Sequence, residues 1–513
     1  MKRKLLVGLG GAGLLSLLSG GVASAQEADP TTLLGQQVNL LWIVIGAVLV
    51  IFMQAGFALV ETGFCRAKHA AHVVSTNFAI FGLGFVAYFL VGYAFMFGGF
   101  AYVLPGFDFG LDVAAGGADA HLLGSGDWTF LWKGGFAMGG ANITPALLGF
   151  FLYMVAFMDT VATIPTGAMA ERWKWKAFVG WGLFCGGIYY PLFGAWTWGG
   201  GWLNRLWHSM DWGVGYADFA GSGVVHGMGG AAALAGAMVL GPRIGKFKNG
   251  RAVAMPGHHI PMAMLGCFIL LFGWFGFNAA STFAATDVQF ATVAANTAIA
   301  AAFGATTTMF YCMYFRGKKP DPAMMVNGML AGLVAITAPC AFVLPGWAAV
   351  IGVIAGVLVV EAVYFFERRG IDDPVGAISV HGVCGLFGVL SVGIFADGSY
   401  GGGWNGAVDS AGDPVALKGL IYGGTGQFMA QLAGALTICT VMFGFAFLFF
   451  KIQNALMKGG IRPTAEDELA GLDLPEMGVL AYPEFSKTDL YVSGSGTIDP
   501  IAADVTDRVG QQV

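Results

Sequence analysis

Long apolar runs alternate with short polar segments along most of the chain. Eleven runs are long enough to cross a bilayer, because a helix needs about 20 apolar residues to span the hydrocarbon core. They are centred near residues 50, 88, 155, 187, 230, 267, 300, 333, 355, 386 and 435. The pattern predicts an all-α membrane protein with eleven transmembrane helices.

The N-terminal segment, residues 1–25, has a different pattern. Basic residues at positions 2–4 precede an apolar run, and the small residues at positions 23–25 follow it. This order is typical of a secretory signal peptide cleaved before Gln26, and cleavage would leave the mature N-terminus outside the cytoplasm. The alternative is an uncleaved first helix.

Basic residues indicate the orientation of the spans. Eleven spans that begin outside end inside, and the loops then assigned to the inside are much richer in Lys and Arg. The inside set is Arg66, Lys68, Arg172, Lys174, Lys176, Arg243, Lys246, Lys248, Arg251, Arg316, Lys318, Lys319, Arg368 and Arg369, and the outside set is Lys133, Arg205 and Lys418. We therefore predict an N-terminus outside and a C-terminus in the cytoplasm, across the inner (plasma) membrane.

Composition narrows the class of protein further. Hydrophobic residues make up 57% of the chain and charged residues 11%, which fits an integral membrane protein. The net charge of −5 argues against a nucleic-acid partner. The seven cysteines have no paired spacing, so neither a disulfide framework nor a zinc site is indicated, and we expect no cofactor.

One motif, D-x-x-G-x-x-x-V-H-G-x-x-G, occurs twice, starting at Asp218 and at Asp373. With eleven spans the copies fall on the fifth and tenth, so the second half of the chain runs opposite to the first. This predicts an inverted 5+5 repeat plus one peripheral helix, a design that places a substrate path at the midplane.

The repeat divides the chain into five parts. They are a signal peptide (1–25), a first half with spans one to five (26–241), a second half with spans six to ten (242–400), an outer loop with span eleven (401–451) and a cytoplasmic regulatory tail (452–513). The polar composition near the end of the tail indicates disorder.

The two motif histidines, His226 and His381, are the first candidate functional residues, because ionisable groups inside a membrane are costly. Each lies eight residues after its aspartate, about 12 Å along a helix. If the two aspartates lie at opposite faces of a layer roughly 30 Å thick, the two rings come within contact range of each other. A neutral, hydrogen-bonded pair can pass on a proton. The alternatives are a structural tie between the halves and axial ligation of a haem.

Three aspartates are further candidates. Asp218 and Asp373 precede predicted helices, and Pro374 follows the second, as expected of a helix cap with proline at the first helical position. Asp218 is also a candidate for drawing cations to the outer mouth. Asp159, in the third span, is interpreted as a buried, hydrogen-bonded carboxyl.

Taken together, several motifs resemble the ammonium transporter and Rhesus family over roughly residues 38–482. They are the two VHG motifs, GAMAER (167–172), WGGG (198–201), DFAG (218–221), GWFGFNAAS (273–281) and DDP (372–374). The resemblance implies a homotrimer in the lipid bilayer with one pore per subunit. It implies a transporter for ammonium or ammonia rather than an enzyme.

The resemblance also assigns residues to the pore. It implies that Phe157, Trp198 and Ser281 recruit ammonium at the outer mouth, where Tyr153 replaces a usual phenylalanine. Phe157 and Phe277 would stack as a gate.

The resemblance further implies that His226 and His381 line the pore below this gate and relay a proton. The substrate would cross the apolar part as ammonia, because cation–π attraction cannot offset the burial of a full charge.

The tail segment 465–482 resembles the cytoplasmic region that couples subunits and receives PII-type signalling proteins. Met477 and Val479 stand where histidine and glutamate are usual, which puts PII binding in doubt, and His69 also departs from the pattern. An ammonium sensor that signals through this tail, and a haem-binding redox protein, are the competing hypotheses.

Overall fold

The computed structural model describes residues 30–99, 120–139, 143–317 and 319–485. The predicted signal peptide, Lys318 and the end of the tail, where disorder is expected, lie outside the described residues.

Long helices form most of the described chain. They are α1 (Pro30–Phe64), α2 (Ala67–Phe97), α3 (Pro145–Met169), α4 (Trp175–Trp196), α5 (Ser222–Leu240), α6 (Ile260–Thr282), α7 (Gln289–Arg316), α8 (Pro322–Ile336), α9 (Pro345–Arg368), α10 (Ile378–Phe395), α11 (Thr425–Leu456) and the short α12 (Ala465–Ala470). A further short helix, Leu206–Met210, precedes α5. Of the helices in the described part, ten are long and apolar enough to cross a membrane.

The predicted eighth span is the exception. It corresponds to α8, which has 15 residues and is about 22 Å long, less than the roughly 30 Å of a hydrocarbon core. The chain continues from α8 through buried turns at residues 337–343 before α9 begins. The described structure therefore supports about ten spanning helices.

The fold is mostly helical rather than wholly α-helical. Strands β1 (His121–Ser125) and β2 (Trp128–Trp132) form an antiparallel hairpin, and β3 (Phe247–Lys248) pairs with β4 (Arg251–Ala252) in a second one. Both hairpins lie in connections between long helices, where the apolar pattern predicted only loops. Their short length left no periodic signal.

Glycines allow the two motif copies to pack backbone against backbone. A Cβ atom at Gly230 of α5 would clash with the backbone of Gly382 in α10, and one at Gly385 would lie 2.8 Å from the Gly227 nitrogen. In each pair, the last motif glycine of one copy meets the glycine that follows the histidine of the other. The helices that carry the two histidines therefore cross in direct contact.

A buried cluster of charges lies at one end of the helices. Arg243 pairs with Glu171 at 3.0 Å and with Asp372 at 2.8 Å, and Arg66 pairs with Glu171 at 2.5 Å. Burial alone would raise the pKa of Glu171, but Arg243 and the neighbouring basic groups hold it below its usual value. The cluster joins loops that follow α1, α3, α5 and α9.

The tail packs against the same end of the molecule. Glu468 of α12 accepts a hydrogen bond from the Ile244 N–H at 2.8 Å and pairs with Arg462. Asp473 accepts one from the His72 N–H at 3.0 Å. The described part of the tail is therefore bound to the helical body.

Candidate functional site

A cavity of about 450 Å³, called here the aromatic cavity, lies among several aromatic side chains. Its lining includes Tyr153 and Phe157 of α3, Trp198 and Ser281. The Phe157 ring lies 4.8 Å from Tyr153 and 5.8 Å from Trp198, between ring centroids. Ser281 Oγ lies 3.0 Å from the Tyr153 hydroxyl. Ring faces beside a hydroxyl form a site suited to a small cation.

Two connecting segments complete the mouth of this cavity. The β1–β2 hairpin contributes His121, Asp127 and Trp132, and the loop after α10 contributes Tyr400 and Trp404. Sequence reasoning missed all five. The signal available was weak, because single aromatic residues are common in a chain in which they make up 14% of residues.

A column of stacked rings continues from the aromatic cavity. Phe157 stacks on Phe277 with centroids 4.1 Å apart, and Phe277 stacks on His226 at 5.4 Å. The His226 ring in turn lies 5.2 Å from the His381 ring. Four rings that the sequence analysis named therefore contact one another in the order Phe157, Phe277, His226 and His381.

The two histidines meet through their Nδ1 atoms, which are 3.1 Å apart. The sequence predicts this contact, and the distance confirms it. His226 is fully buried and His381 is 5% exposed. One Nδ1–H donates to the other Nδ1, as in a neutral pair, which leaves both Nε2 atoms for other partners. His226 Nε2 is buried with no partner among the described residues.

Each histidine sits in a π-helical turn, Ser222–Gly227 in α5 and Ile378–Val383 in α10. Such turns widen the helix and are frequent at functional sites. The apolar pattern of the sequence does not distinguish them from α-helix. Direct contact between two ring nitrogens does not fit haem ligation, in which the two axial ligands lie on opposite sides of an iron atom.

Asp218 starts α5 rather than facing the aromatic cavity. Its buried carboxylate accepts hydrogen bonds from the N–H groups of Gly221, Gly223 and Val224 at 2.8–2.9 Å. Burial raises the pKa of this carboxyl, although the three donors act against the shift. Asp218 does not line the cavity, but its carbonyl oxygen accepts a hydrogen bond from Nε1 of the lining residue Trp198 at 2.8 Å.

Asp373 plays the matching part in the second copy. It accepts hydrogen bonds from the N–H groups of Gly376, Ala377 and Ile378 at 2.7–3.1 Å, and burial raises its pKa to about 6. Pro374 does not occupy the first helical position, because α10 begins only at Ile378. Both aspartates therefore satisfy N–H groups at a helix start, as predicted, although the N-cap residues themselves are Gly221 and Ala377. The predicted position of the proline is wrong.

Asp159 remains apart from these contacts. It is buried in α3, as predicted, and is not among the described residues that line either cavity. Both of its carboxyl oxygens lack a hydrogen bond of ordinary geometry to the described residues, so the predicted hydrogen bond is not found.

A smaller cavity, of about 20 Å³, lies on the other side of the histidine pair from the aromatic cavity, and is called here the small cavity. His381 and Phe57 line it, as do Glu61 of α1 and Asn327 of α8. Sequence reasoning missed Glu61 and Asn327. A signal for Glu61 existed, since an acid inside an apolar run is costly unless it has a function or a partner.

The chain is similar to known proteins over most of its length. The model of the Ammonium Transporter Family matches residues 41–482. Ammonium transporter Amt2 of Archaeoglobus fulgidus is 41% identical over 456 residues, which cover 88% of this chain and 90% of that protein. Ammonium transporter Amt2 of Methanocaldococcus jannaschii is 34% identical, with 88% of this chain and 93% of that protein covered.

Solved structures agree with this relationship. A chain named Sensor Amt Protein superimposes with a TM-score of 0.73 at 33% identity, covering 86% of this chain and 99% of that one. Mep2 of Candida albicans superimposes with a TM-score of 0.70 at 26% identity, covering 88% of this chain and 91% of that one. The chain belongs to the ammonium transporter family.

Proposed function

We propose that the protein moves ammonium across the membrane along the column of rings. The path begins in the aromatic cavity, passes the Phe157–Phe277 stack and follows the His226–His381 pair to the small cavity. The series of ring contacts between the two cavities is the observation that carries this proposal.

Ammonium binds first in the aromatic cavity. Cation–π attraction to the faces of Phe157 and Trp198 stabilises a bound small cation by about 0.5–2 kcal/mol. Ser281 Oγ accepts a hydrogen bond from one N–H group of the ammonium ion. Asp218 contributes through the field of its buried carboxylate and not by direct contact. This site is open enough to exchange the ion with water.

Deprotonation follows because the column beyond the cavity is apolar and buried. Burying a full positive charge there costs more than the ring faces return. Ammonium therefore gives a proton to His226 Nε2, and His226 Nδ1–H passes its own proton to His381 Nδ1. Ammonia crosses beside the rings. Potassium and sodium have no proton to give and are excluded.

The halves of the chain form an inverted repeat, 26–241 and 242–400. Two observations support this: the reciprocal glycine contacts, and the equivalent carboxylate caps at Asp218 and Asp373. We count α8 with its following turns as a spanning segment, which makes eleven. The N-terminus is then outside and the C-terminus cytoplasmic, with residues 401–451 as the outer loop and last span.

The assembly is a homotrimer in the plasma membrane, with a pore in each subunit. Residues 452–513 form a regulatory tail that couples subunits, which its packing against the helix ends supports. A PII-type protein is its candidate partner, although Met477 and Val479 replace the histidine and glutamate that are usual in this segment.

Transport is tested in proteoliposomes made with the full chain. Ammonium pulses should give saturable uptake, and potassium pulses of equal size should give none. Replacement of His226 or His381 by leucine should alter the selectivity between these cations. Equal fluxes of potassium and ammonium through the unmodified protein would contradict the proposal.

A sensor is the second candidate function, favoured by the similarity to a structural neighbour that is itself called a sensor. The same pore-like site would then report ammonium through the tail. Uptake that persists after removal of residues 462–513 supports the transporter. Ammonium-dependent changes in the tail, with no uptake at all, support the sensor.

A further inference from the structure

A buried glutamate, Glu61, lies near the end of α1 and lines the small cavity at which the proposed path ends. It is 3% exposed and lies three residues before Phe64, where the helix ends. Asn77 Nδ2 donates to its Oε2 at 2.7 Å, and the Thr166 hydroxyl donates to its Oε1 at 2.9 Å. Within the described part of the chain it has no ion pair. Its carboxyl can therefore gain or lose a proton without breaking one.

The small cavity connects this carboxyl to the histidine pair. Its volume of about 20 Å³ is enough for one water molecule. Both Glu61 and His381 line it, and His381 has its Nε2 atom left over from the contact with His226. A molecule in this cavity therefore lies between the side chains of His381 and Glu61.

A second observation points to a ligand in the same place. Asn327 also lines the small cavity, and its Oδ1 atom is buried without a hydrogen-bond partner among the described residues. A buried acceptor of this kind is costly unless something donates to it. A water molecule would have three partners here, from His381, Glu61 and Asn327, which is the usual number for a buried water.

We propose that Glu61 is the proton acceptor at the end of the histidine pair, reached through one water molecule held by Asn327. The inference rests on the proposed function, since it requires a proton to arrive along the histidines. The small cavity then receives the proton that leaves the histidine pair. The aromatic cavity cannot receive it, because it lies at the opposite end of the histidine pair.

The transfer conserves every proton. His381 receives a proton on Nδ1 from His226 and releases the one on Nε2 to the water. The water gives a different proton to the Glu61 carboxylate and keeps two. His381 ends neutral with its proton on Nδ1, and Glu61 ends as a carboxylic acid. It then releases the proton to solvent at the Phe64 end of α1.

The test measures charge moved per ammonium taken up, in proteoliposomes given ammonium pulses. Current on a solid-supported membrane reports the charge, and lumenal ammonium reports the uptake. Glu61→Gln keeps the shape of the side chain and one acceptor oxygen for Asn77 or Thr166 but cannot accept a proton. We expect the ratio to fall by about tenfold or more, because a positioned proton-transfer group typically speeds its step by about 10²–10⁴-fold. Glu61→Asp, which restores a carboxyl, should recover part of it.

Asp159→Asn is the matched control, because it removes another buried carboxyl from outside both cavities. It should keep the wild-type ratio. A wild-type ratio in a folded Glu61→Gln protein would overturn the role of Glu61 alone, as would wild-type uptake that carries no charge. Wild-type uptake no greater than that of protein-free liposomes would instead overturn the proposed function.

A spectroscopic measurement covers the case in which Glu61→Gln does not fold. Infrared difference spectra of the Asp159→Asn protein after an ammonium pulse should show a new carboxylic acid C=O band, since the other buried carboxyl of the described spans is then absent. A spectrum without such a band would overturn the proposal.

Discussion

Gly230 packs directly against the backbone of Gly382, with no room for a side chain between them. This contact sets the distance between the two helices that carry the histidine pair. A methyl group at this position forces α5 and α10 apart, and His226 would then lose its contact with His381.

We therefore expect Gly230→Ala to destabilise the protein by about 1–3 kcal/mol, the usual cost of overpacking. Gly82→Ala is the matched control, because a Cβ atom at Gly82 in α2 meets nothing within 4 Å. Thermal unfolding in detergent measures both. An equal melting temperature for the two variants would show that the glycine contact does not determine the packing.

Trp198 offers a test of the aromatic cavity. Trp198→Leu removes the ring face and the hydrogen bond to Asp218, and should raise the ammonium concentration for half-maximal uptake by roughly two- to thirtyfold. Trp198→Phe keeps a ring face and loses only the indole N–H, so its effect should be smaller. Initial uptake rates over a range of ammonium concentrations measure both, and identical effects would assign the role to the hydrogen bond alone.

Stability in acid should depend on the buried charge cluster. Burial alone would raise the pKa of Asp372, but Arg172 and Arg243 beside it hold that pKa below the ordinary value of 3.8. A carboxyl with a lowered pKa stabilises the folded state above its unfolded pKa, and this stability is lost as the pH falls through the folded value. We expect the melting temperature to fall as the pH drops from about 5 towards 3.

Asp372→Asn tests the origin of that acid sensitivity. The variant should be less stable than the wild type at pH 7 by up to about 3–5 kcal/mol, because Arg243 loses one of its two buried carboxylate partners and keeps only Glu171. It should also show a smaller further loss in acid. An unchanged acid profile would place the sensitivity at other carboxyl groups.

The sequence contains enough information for the spans and the histidine contact, but not for the small cavity. Apolar length alone identifies ten of the spanning helices, and the duplicated motif places His226 beside His381. The short α8 was predicted as a full span because the apolar residues continue past its last turn into buried, non-helical chain. Length of an apolar run does not show where a helix ends.

The residues that line the cavities could not be predicted from the sequence for a different reason. Glu61 and Asn327 come from helices far apart in the chain and meet only through packing. Likewise the β1–β2 hairpin reaches the aromatic cavity from a connection with no periodic pattern. Side chains brought together by tertiary contacts carry no local signature, apart from the cost of a charged group in an apolar run.

The two possible roles of Asp218 can be separated by a pair of substitutions. As a cap, its side chain satisfies backbone N–H groups at the start of α5, and Asp218→Ala should cost about 0.5–2 kcal/mol of stability. Asp218→Asn retains an acceptor oxygen, so it should recover most of that stability. If Asp218 acts instead through its electric field, only its negative charge matters. Asparagine is neutral, so Asp218→Asn would recover none of the attraction for a cation.

Ammonium affinity at the aromatic cavity therefore decides between these roles. We expect both Asp218 variants to bind ammonium more weakly than the wild type, because each lacks the charge that favours a cation nearby. Asp373→Asn is the matched control, since it neutralises the equivalent cap on the far side of the histidine pair. If Asp218→Asn binds ammonium as tightly as the wild type and differs only in melting temperature, Asp218 acts solely as a helix cap.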